Sequence, residues 1–271
     1  MFHTYPSTSA SVQSYADGIQ SEINIIESYN EKYNLALPAY ISEYASTCCQ
    51  PQTGYDDSYS AAFVVYTAQY LQQLFPKQKD STLKWMSYWA ISDVFEEPGF
   101  NSNEFKGLYG LQTMRGIAKP AYRAMELLGK FGGNVSYNAS LMTQNIKGNT
   151  VLVYCVKNRF SENRFSVFIA NFNSAKLPIQ ANEVVVYVNN VNRKLSKVSM
   201  YRIDGNNTNP VQTWKEMSSP MYPTLAQLQK INETSQLVAT NVDYKVLNAT
   251  TTQISLNVPV FGVVLLDLQY Q

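Results

Sequence analysis

The feature that most constrains the fold of this 271-residue chain is a change of hydrophobic pattern near residue 132. Before it, short apolar runs alternate with long segments whose apolar residues recur at helical spacing, which is typical of parallel β/α units. After it, short apolar runs follow one another between turns, which is typical of an antiparallel β-sandwich. We therefore predict an α/β region over residues 1–132 and an all-β region over residues 133–271.

The α/β region contains about three strand–helix units. Helices are predicted at 7–33, 58–75 and 119–131, and strands at 37–43 and 83–94. A further strand is expected to end near His3, ahead of the first helix. Three parallel strands cannot close a (β/α)₈ barrel, which needs eight. Alone, this region should expose a large apolar edge.

The all-β region contains five apolar runs and one helical segment. Strands are predicted at 151–156, 165–170, 184–188, 198–201 and 260–268, and a helix at 224–232. Strands this short, at this spacing, favour two packed sheets.

Composition excludes several classes of function. The formal net charge of +1 gives no footprint for binding nucleic acid or an acidic membrane surface. No apolar stretch approaches the roughly 20 residues that a membrane span needs. Charged residues make up 15% of the chain, against about 25% in soluble domains, and there are 20 tyrosines. A surface rich in Tyr and Asn suits carbohydrate contact, although a β-rich fold or a biased genome gives the same composition.

The sequence says little about the cellular compartment of the protein. Cys48, Cys49 and Cys155 cannot all pair within one chain, and bonding between the adjacent two is strained, so the redox environment stays open. The first residues lack the pattern of a signal peptide. Five Asn-X-Ser/Thr sequons would suit a secreted or lysosomal glycoprotein, although Asn is frequent enough here to produce several by chance. They begin at Asn134, Asn138, Asn206, Asn232 and Asn248.

Residues 87–99 combine a buried strand with an aromatic, acidic and turn-forming end. Trp89 could pack on the C–H face of a sugar while Glu96 and Glu97 accept hydrogen bonds from its hydroxyls. Polar groups at the carboxyl ends of parallel strands line the mouths of barrel enzymes. The alternative is a core strand that runs into a solvated turn.

Glu43 and His3 are the other candidate site residues. Glu43 follows a short apolar strand, where a carboxylate could attack an anomeric carbon; a loop cap or an ion pair is the alternative. His3, the single histidine, could donate a hydrogen bond to that nucleophile or to a sugar, or could be a frayed terminal residue. No residues stand at the spacing of a metal site, a phosphate loop or a cysteine nucleophile, so no metal or other cofactor is expected.

An ordered series of motifs in this chain resembles glycoside hydrolase family 39, the β-xylosidases and α-L-iduronidases. In the first region the series is HTYP at 3–6, ISEY at 41–44, YSAAF at 59–63, SYW at 87–89, GLYGL at 107–111, GIAKPAY at 116–122 and LL at 127–128. In the second region YRID at 201–204 and PMYPT at 220–224 look most like the sandwich of the iduronidases. The segment 88–97 looks more like the xylosidases.

The resemblance implies a retaining mechanism at the mouth of a (β/α)₈ barrel, with this chain supplying about strands six to eight and then a β-sandwich. Glu43, ending strand seven, would be the nucleophile. His3 would support the site from strand six, and Trp89, Glu96 and Glu97 would line the sugar subsite from strand eight. An oligosaccharide or glycoside is the implied substrate.

One departure from the family is large. Its general acid/base is a Glu in an Asn-Glu-Pro sequence that ends strand four, and this chain has no such sequence. Strands one to five are absent too, so the resemblance implies a missing N-terminal barrel half as partner, an inactive isolated chain, and Met1 as an internal methionine. The alternative is a non-catalytic carbohydrate-binding or structural module that retains a remnant of the barrel.

Overall fold

The computed structural model describes most of the chain. The described residues are 1–6, 12–47, 54–74, 82–94, 103–132, 144–146, 149–158, 161–172, 179–189 and 194–271. Glu96, Glu97, Cys48, Cys49, Asn134 and Asn138 lie outside them. No helix within these ranges is long and apolar enough to cross a membrane.

The first region folds as a parallel sheet with its connecting helices on one side. The elements are β1 (Phe2–Thr4), α1 (Val12–Tyr33), β2 (Ala39–Tyr44), α2 (Ser58–Leu74), β3 (Leu83–Tyr88) and α3 (Pro120–Phe131). The strand order is β1-β2-β3, and both pairings are parallel. In the described part of the chain, the outer edges of β1 and β3 have no strand beside them. The expected β/α alternation is confirmed.

The second region forms two antiparallel sheets. Its elements are β4 (Gln144–Ile146), β5 (Asn149–Lys157), β6 (Arg164–Phe172), β7 (Asn182–Asn189), β8 (Leu195–Ile203), α4 (Pro210–Glu216), α5 (Leu225–Thr234), β9 (Thr240–Asn241), β10 (Lys245–Asn248), β11 (Thr251–Val258) and β12 (Val263–Tyr270). One sheet has the order β4-β5-β6-β12-β8-β9 and the other β10-β11-β7. Apolar residues from both sheets share one cluster, so the sheets pack face to face.

The larger sheet is buried on both faces because the helices cover the side that the smaller sheet leaves free. Along β12, Val264 and Leu266 face the smaller sheet, whereas Val263 and Leu265 belong to a second core that includes α1, α2, α3 and β2. The molecule is therefore layered as parallel sheet, helices, large sheet and small sheet. Apolar contacts run continuously from the first region to the second, and the domain boundary at residue 132 stays a prediction.

Helix α2 is buried on all sides over residues 58–67 because it lies between two sheets. Phe63, which is fully buried, has its ring 6.4 Å from that of Tyr44 in β2 and 6.0 Å from that of Phe172 in β6. Tyr59 and Tyr66 also place their rings 5.1 and 5.5 Å from Phe172. Aromatic side chains of α2 thus pack against both the parallel sheet and the sandwich.

The predicted strand at 83–94 is too long. Strand β3 ends at Tyr88, and the peptide bond between Trp89 and Ala90 is cis. Beyond it the backbone pairs with residues 109–112 instead of the sheet: the N–H of Leu111 donates to the carbonyl of Ala90 over 2.8 Å. The apolar residues Ile91 and Val94, which favoured a longer strand, are exposed.

We expect Phe63→Ala to destabilise both regions together, because its ring contacts the parallel sheet and the sandwich. Truncating a buried Phe costs about 3–5 kcal/mol. Urea unfolding followed by circular dichroism, together with hydrogen exchange of β12, measures this loss. The matched control is Leu225→Ala, at a side chain that is 82% exposed, which should change stability by less than about 0.5 kcal/mol. Continued protection of β12 after the first region has unfolded would contradict a shared core.

Candidate active site

The three parallel strands bring their carboxyl ends to one edge of the sheet, and the sequence-predicted residues meet there. His3 pairs in register with Glu43, and the main-chain N–H of Trp89 donates to the carbonyl of Tyr44 over 3.0 Å. Parallel pairing alone produces this convergence, because all three strands point the same way. The chain thus places His3, Glu43 and the start of the Trp89 segment on adjacent strands.

Two side chains approach one oxygen of Glu43. The hydroxyl of Tyr5 donates to Oε2 over 2.9 Å, and His3 Nδ1 lies 3.0 Å from the same atom. The Glu43 side chain is 20% exposed and that of His3 is 55% exposed. This arrangement fixes the direction of the carboxylate while leaving it accessible from the open side of the sheet.

An aromatic cluster packs beside this carboxylate. Ala45, Tyr55 and Tyr109 are its buried members, with Tyr5 and Trp89 partly buried against them. The ring of Tyr109 lies 6.5 Å from that of Tyr5 and 5.1 Å from that of Tyr55. Trp89 therefore lies in the same cluster as Tyr5, whose hydroxyl donates to Glu43. Glu96 and Glu97 lie outside the described residues.

Behind this cluster lies a buried ion cluster that the sequence did not reveal. Lys119 is fully buried, and its Nζ lies 2.7 Å from Asp56 Oδ1 and 2.7 Å from Asp93 Oδ2. It also donates to the carbonyl of Leu108 over 3.1 Å. Asp56 precedes α2 and Asp93 follows β3, so the ammonium joins the loops that leave two adjacent strands.

The charges of this ion cluster are unequal, since two carboxylates share one ammonium. Burial raises the pKa of Asp93 to about 6, although the charge of Lys119 and its hydrogen bond act in the opposite direction. Burial also opposes the charge of Lys119, but Asp56 and Asp93 outweigh it and raise the pKa of the ammonium. Lys119 is thus held protonated.

Tyr5 and Lys119 are the site residues that the sequence prediction missed. Tyr5 follows His3 by two residues, so both can point to one side of an extended chain, and this spacing could have suggested a second partner for Glu43. For Lys119 the only local signal was a charged residue directly before the proline that begins α3. Among the described residues, no group of three or more His, Cys, Asp or Glu side chains could hold a metal ion.

The chain is similar to known proteins in sequence and in fold. Residues 4–247 match the family described as "Glycosyl hydrolases family 39". A β-xylosidase of Caldicellulosiruptor saccharolyticus is 31% identical over 212 residues, which are 78% of this chain and 40% of that protein. The chain thus spans less than half the length of this curated relative.

Two solved structures show the same fold. The GH39 enzyme from Xanthomonas axonopodis pv. citri superposes with a TM-score of 0.68 and 17% identity, over 98% of this chain and 54% of its own. A bacterial orthologue of human α-L-iduronidase superposes with a TM-score of 0.64 and 16% identity, over 100% of this chain and 48% of its own. The family match extends over nine tenths of the sequence, and it includes Glu43, Trp89 and the sandwich as far as β10. The chain belongs to glycosyl hydrolase family 39.

Proposed function

We propose that this chain supplies the nucleophile side of a retaining glycoside hydrolase that cleaves β-xylosides. The observation that carries the proposal is Glu43 at the carboxyl edge of a parallel sheet, with Tyr5 hydrogen-bonded to one of its oxygens and His3 Nδ1 3.0 Å from the same oxygen. The likeness to a β-xylosidase supports the choice of sugar. The partly exposed Trp89 beside Glu43 suits the stacking of a pyranose ring.

In the proposed reaction, Glu43 attacks the anomeric carbon through an oxocarbenium-like transition state. The glycosidic C–O bond breaks, a second carboxyl group protonates the departing oxygen, and a covalent glycosyl-enzyme forms. Tyr5 holds one oxygen of Glu43 in place, so the other oxygen is the one presented to the sugar. The second carboxyl group then acts as a base and takes a proton from the water that cleaves the intermediate. In retaining enzymes that group stands about 5–5.5 Å from the nucleophile.

We propose that the second carboxyl comes from polypeptide outside these 271 residues. The described carboxylates Asp56 and Asp93 are buried and paired with Lys119, so neither suits proton transfer to a leaving group. Five further β/α units beside β1 and β3 would complete a barrel, and their fourth strand would bring the acid. This chain would then provide strands six to eight and the following sandwich.

The open side of the parallel sheet supports this completion. Trp85 on β3 is 47% exposed and contacts Tyr40 of β2 at 5.4 Å between ring centroids. Tyr40 alternates with the buried Ala39 and Ile41, so this aromatic pair lies on the face away from the helices. In a closed barrel that face is the packed interior.

An exposed apolar strip on helix α1 also supports completion of the barrel by further β/α units. Glu27 accepts a hydrogen bond from Thr82 ahead of β3, which places this flank of the helix toward β3. Ile25, Tyr29 and Tyr33, spaced four residues apart on a different flank, are 65%, 50% and 50% exposed. An apolar strip of this kind is what a neighbouring barrel helix would cover.

Two further expectations remain at the level of proposals. A non-catalytic carbohydrate-binding module is the less favoured function, because Glu43 retains both partners that orient a nucleophile. A secreted or lysosomal location agrees with the exposure of the sequon residues Asn206, Asn232 and Asn248.

We expect the isolated chain to show no turnover of 4-nitrophenyl β-xyloside, because hydrolysis needs a second carboxyl. Adding separately produced polypeptide with the first five β/α units of a family 39 xylosidase should create activity. Release of 4-nitrophenol measures it, and the same mixture with the Glu43→Gln chain is the control. Clear turnover by the purified monomer would show that the chain carries its own acid.

In the completed protein, Glu43→Gln should abolish covalent labelling by a 2-deoxy-2-fluoro-xyloside, because an amide is not a nucleophile at an anomeric carbon. Intact-protein mass spectrometry detects the added sugar. Glu183→Gln, an exposed change on β7, is the matched control and should label normally. Persistent labelling of Glu43→Gln would place the nucleophile on another residue.

A further inference from the structure

Lys119 joins three chain segments from two loops through one ammonium group. Its Nζ forms ion pairs with Asp56 in the loop after β2 and with Asp93 at the start of the β3–α3 loop. It also donates a hydrogen bond to the carbonyl of Leu108, later in that same loop. The two loops continue from the strands that end at Glu43 and beside Trp89.

Each carboxylate also accepts a hydrogen bond from the main chain of residues 107–110. The N–H of Gly107 donates to Asp56 Oδ2 over 2.5 Å, and the N–H of Gly110 donates to Asp93 Oδ1 over 2.8 Å. At Gly110 a Cβ would lie 2.3 Å from the main-chain nitrogen of Asp93, so the two segments touch with no room for a side chain. The ion cluster therefore holds this segment together with the main-chain pairing between residues 90–93 and 109–112.

Tyr109 connects this segment to Glu43. It stands between Leu108, whose carbonyl accepts from Lys119, and Gly110, whose N–H donates to Asp93. Its ring contacts that of Tyr5, and the Tyr5 hydroxyl donates to Glu43. From the ammonium to the proposed nucleophile, each step is a direct contact.

The energetics favour a role in geometry over a role in stability. Removing charged groups from water costs several kcal/mol per ion, and buried ion clusters are often no more stable than well-packed apolar residues. This cluster carries one negative charge more than positive, and burial raises the pKa of Asp93 to about 6. The effect of the cluster is to hold three chain segments in a fixed arrangement.

We propose that Lys119 is a positioning residue: by tying the loops after β2 and β3 to residues 107–110, it holds Tyr109 against Tyr5 and Trp89 beside Glu43. This inference rests on the function proposed above, and it gives the ion cluster a part in that function. Lys119 acts through Asp56, Asp93 and the aromatic cluster, without touching substrate.

Hydrogen exchange of the full chain tests the proposal. In Lys119→Met, amides in 88–94 and 107–112 should exchange about 10- to 100-fold faster, the effect of losing a hydrogen bond to a charged group. Those in β12 should keep their protection. The indole N–H resonance of Trp89, assigned with Trp89→Phe, should move as well. Lys130→Met, at an exposed lysine of α3 that pairs with Glu126, is the matched control and should change neither.

A second variant keeps the test decisive if Lys119→Met fails to fold. Asp56→Asn leaves one carboxylate with one ammonium, so the cluster becomes neutral and the fold should persist. It should still speed exchange at 107–112 and shift the Trp89 resonance, because the amide no longer attracts the ammonium. Exchange that rises equally in β12, or that matches Lys130→Met in these segments, would overturn the proposal.

The same variants separate the two proposals. If exchange and the Trp89 resonance change as expected but the completed protein does not hydrolyse aryl xylosides, positioning by Lys119 stands and the proposed function is wrong. If the completed protein is active while the segments and the resonance are unaffected in Asp56→Asn, the function stands and the positioning role is wrong.

Discussion

The burial of helix α2 on every side is the constraint on which the rest of this structure depends. Residues 58–67 are buried along their whole length, with the parallel sheet on one side and the large sandwich sheet on the other. A helix in this setting cannot rotate without steric overlap on one side and a cavity on the other, because its neighbours are packed closely around it. Its orientation therefore fixes where the loop from β2 enters the helix, and with it the positions of Tyr55 and Asp56.

The polar groups of the site are divided according to their surroundings. Glu43 lies at the carboxyl edge of the sheet, where Tyr5 donates to it and His3 stands beside it. Asp56 and Asp93 lie deeper and share the charge of Lys119. Of these three described carboxylates, Glu43 is the one without a buried cation beside it, while the other two connect the loops.

Much of the fold could be predicted from the sequence, because its long elements carry strong periodic signals. Helix α2 and the central strands β6 and β12 followed from apolar runs of the right length. Strand β11 was missed because only alternate residues, Ile254, Leu256 and Val258, are apolar, so it contains no continuous run. Helix α4 was missed because it is short; it is held by the packing of Trp214 against Phe105, a contact from the other region.

Candidate site residues could be predicted where they lie at the end of a strand. Those that depend on contacts between distant positions could not. Glu43 and His3 follow from their places at the ends of strands. The role of Tyr5 depends on a hydrogen bond across 38 positions, and that of Lys119 on contacts with residues 26 and 63 positions away. No local pattern encodes such contacts, because they exist only after the strands have paired.

The apolar core that runs from the helices into the large sheet limits how a protein of this fold can change by recombination. Phe172 of β6 packs among Tyr59, Phe63 and Tyr66 of α2, so the sandwich cannot be exchanged as an independent cassette. A chimera that received the sandwich of a relative would need the outer face of α2 from the same source. Gene fusion or domain shuffling at residue 132 would separate side chains that have to be inherited together.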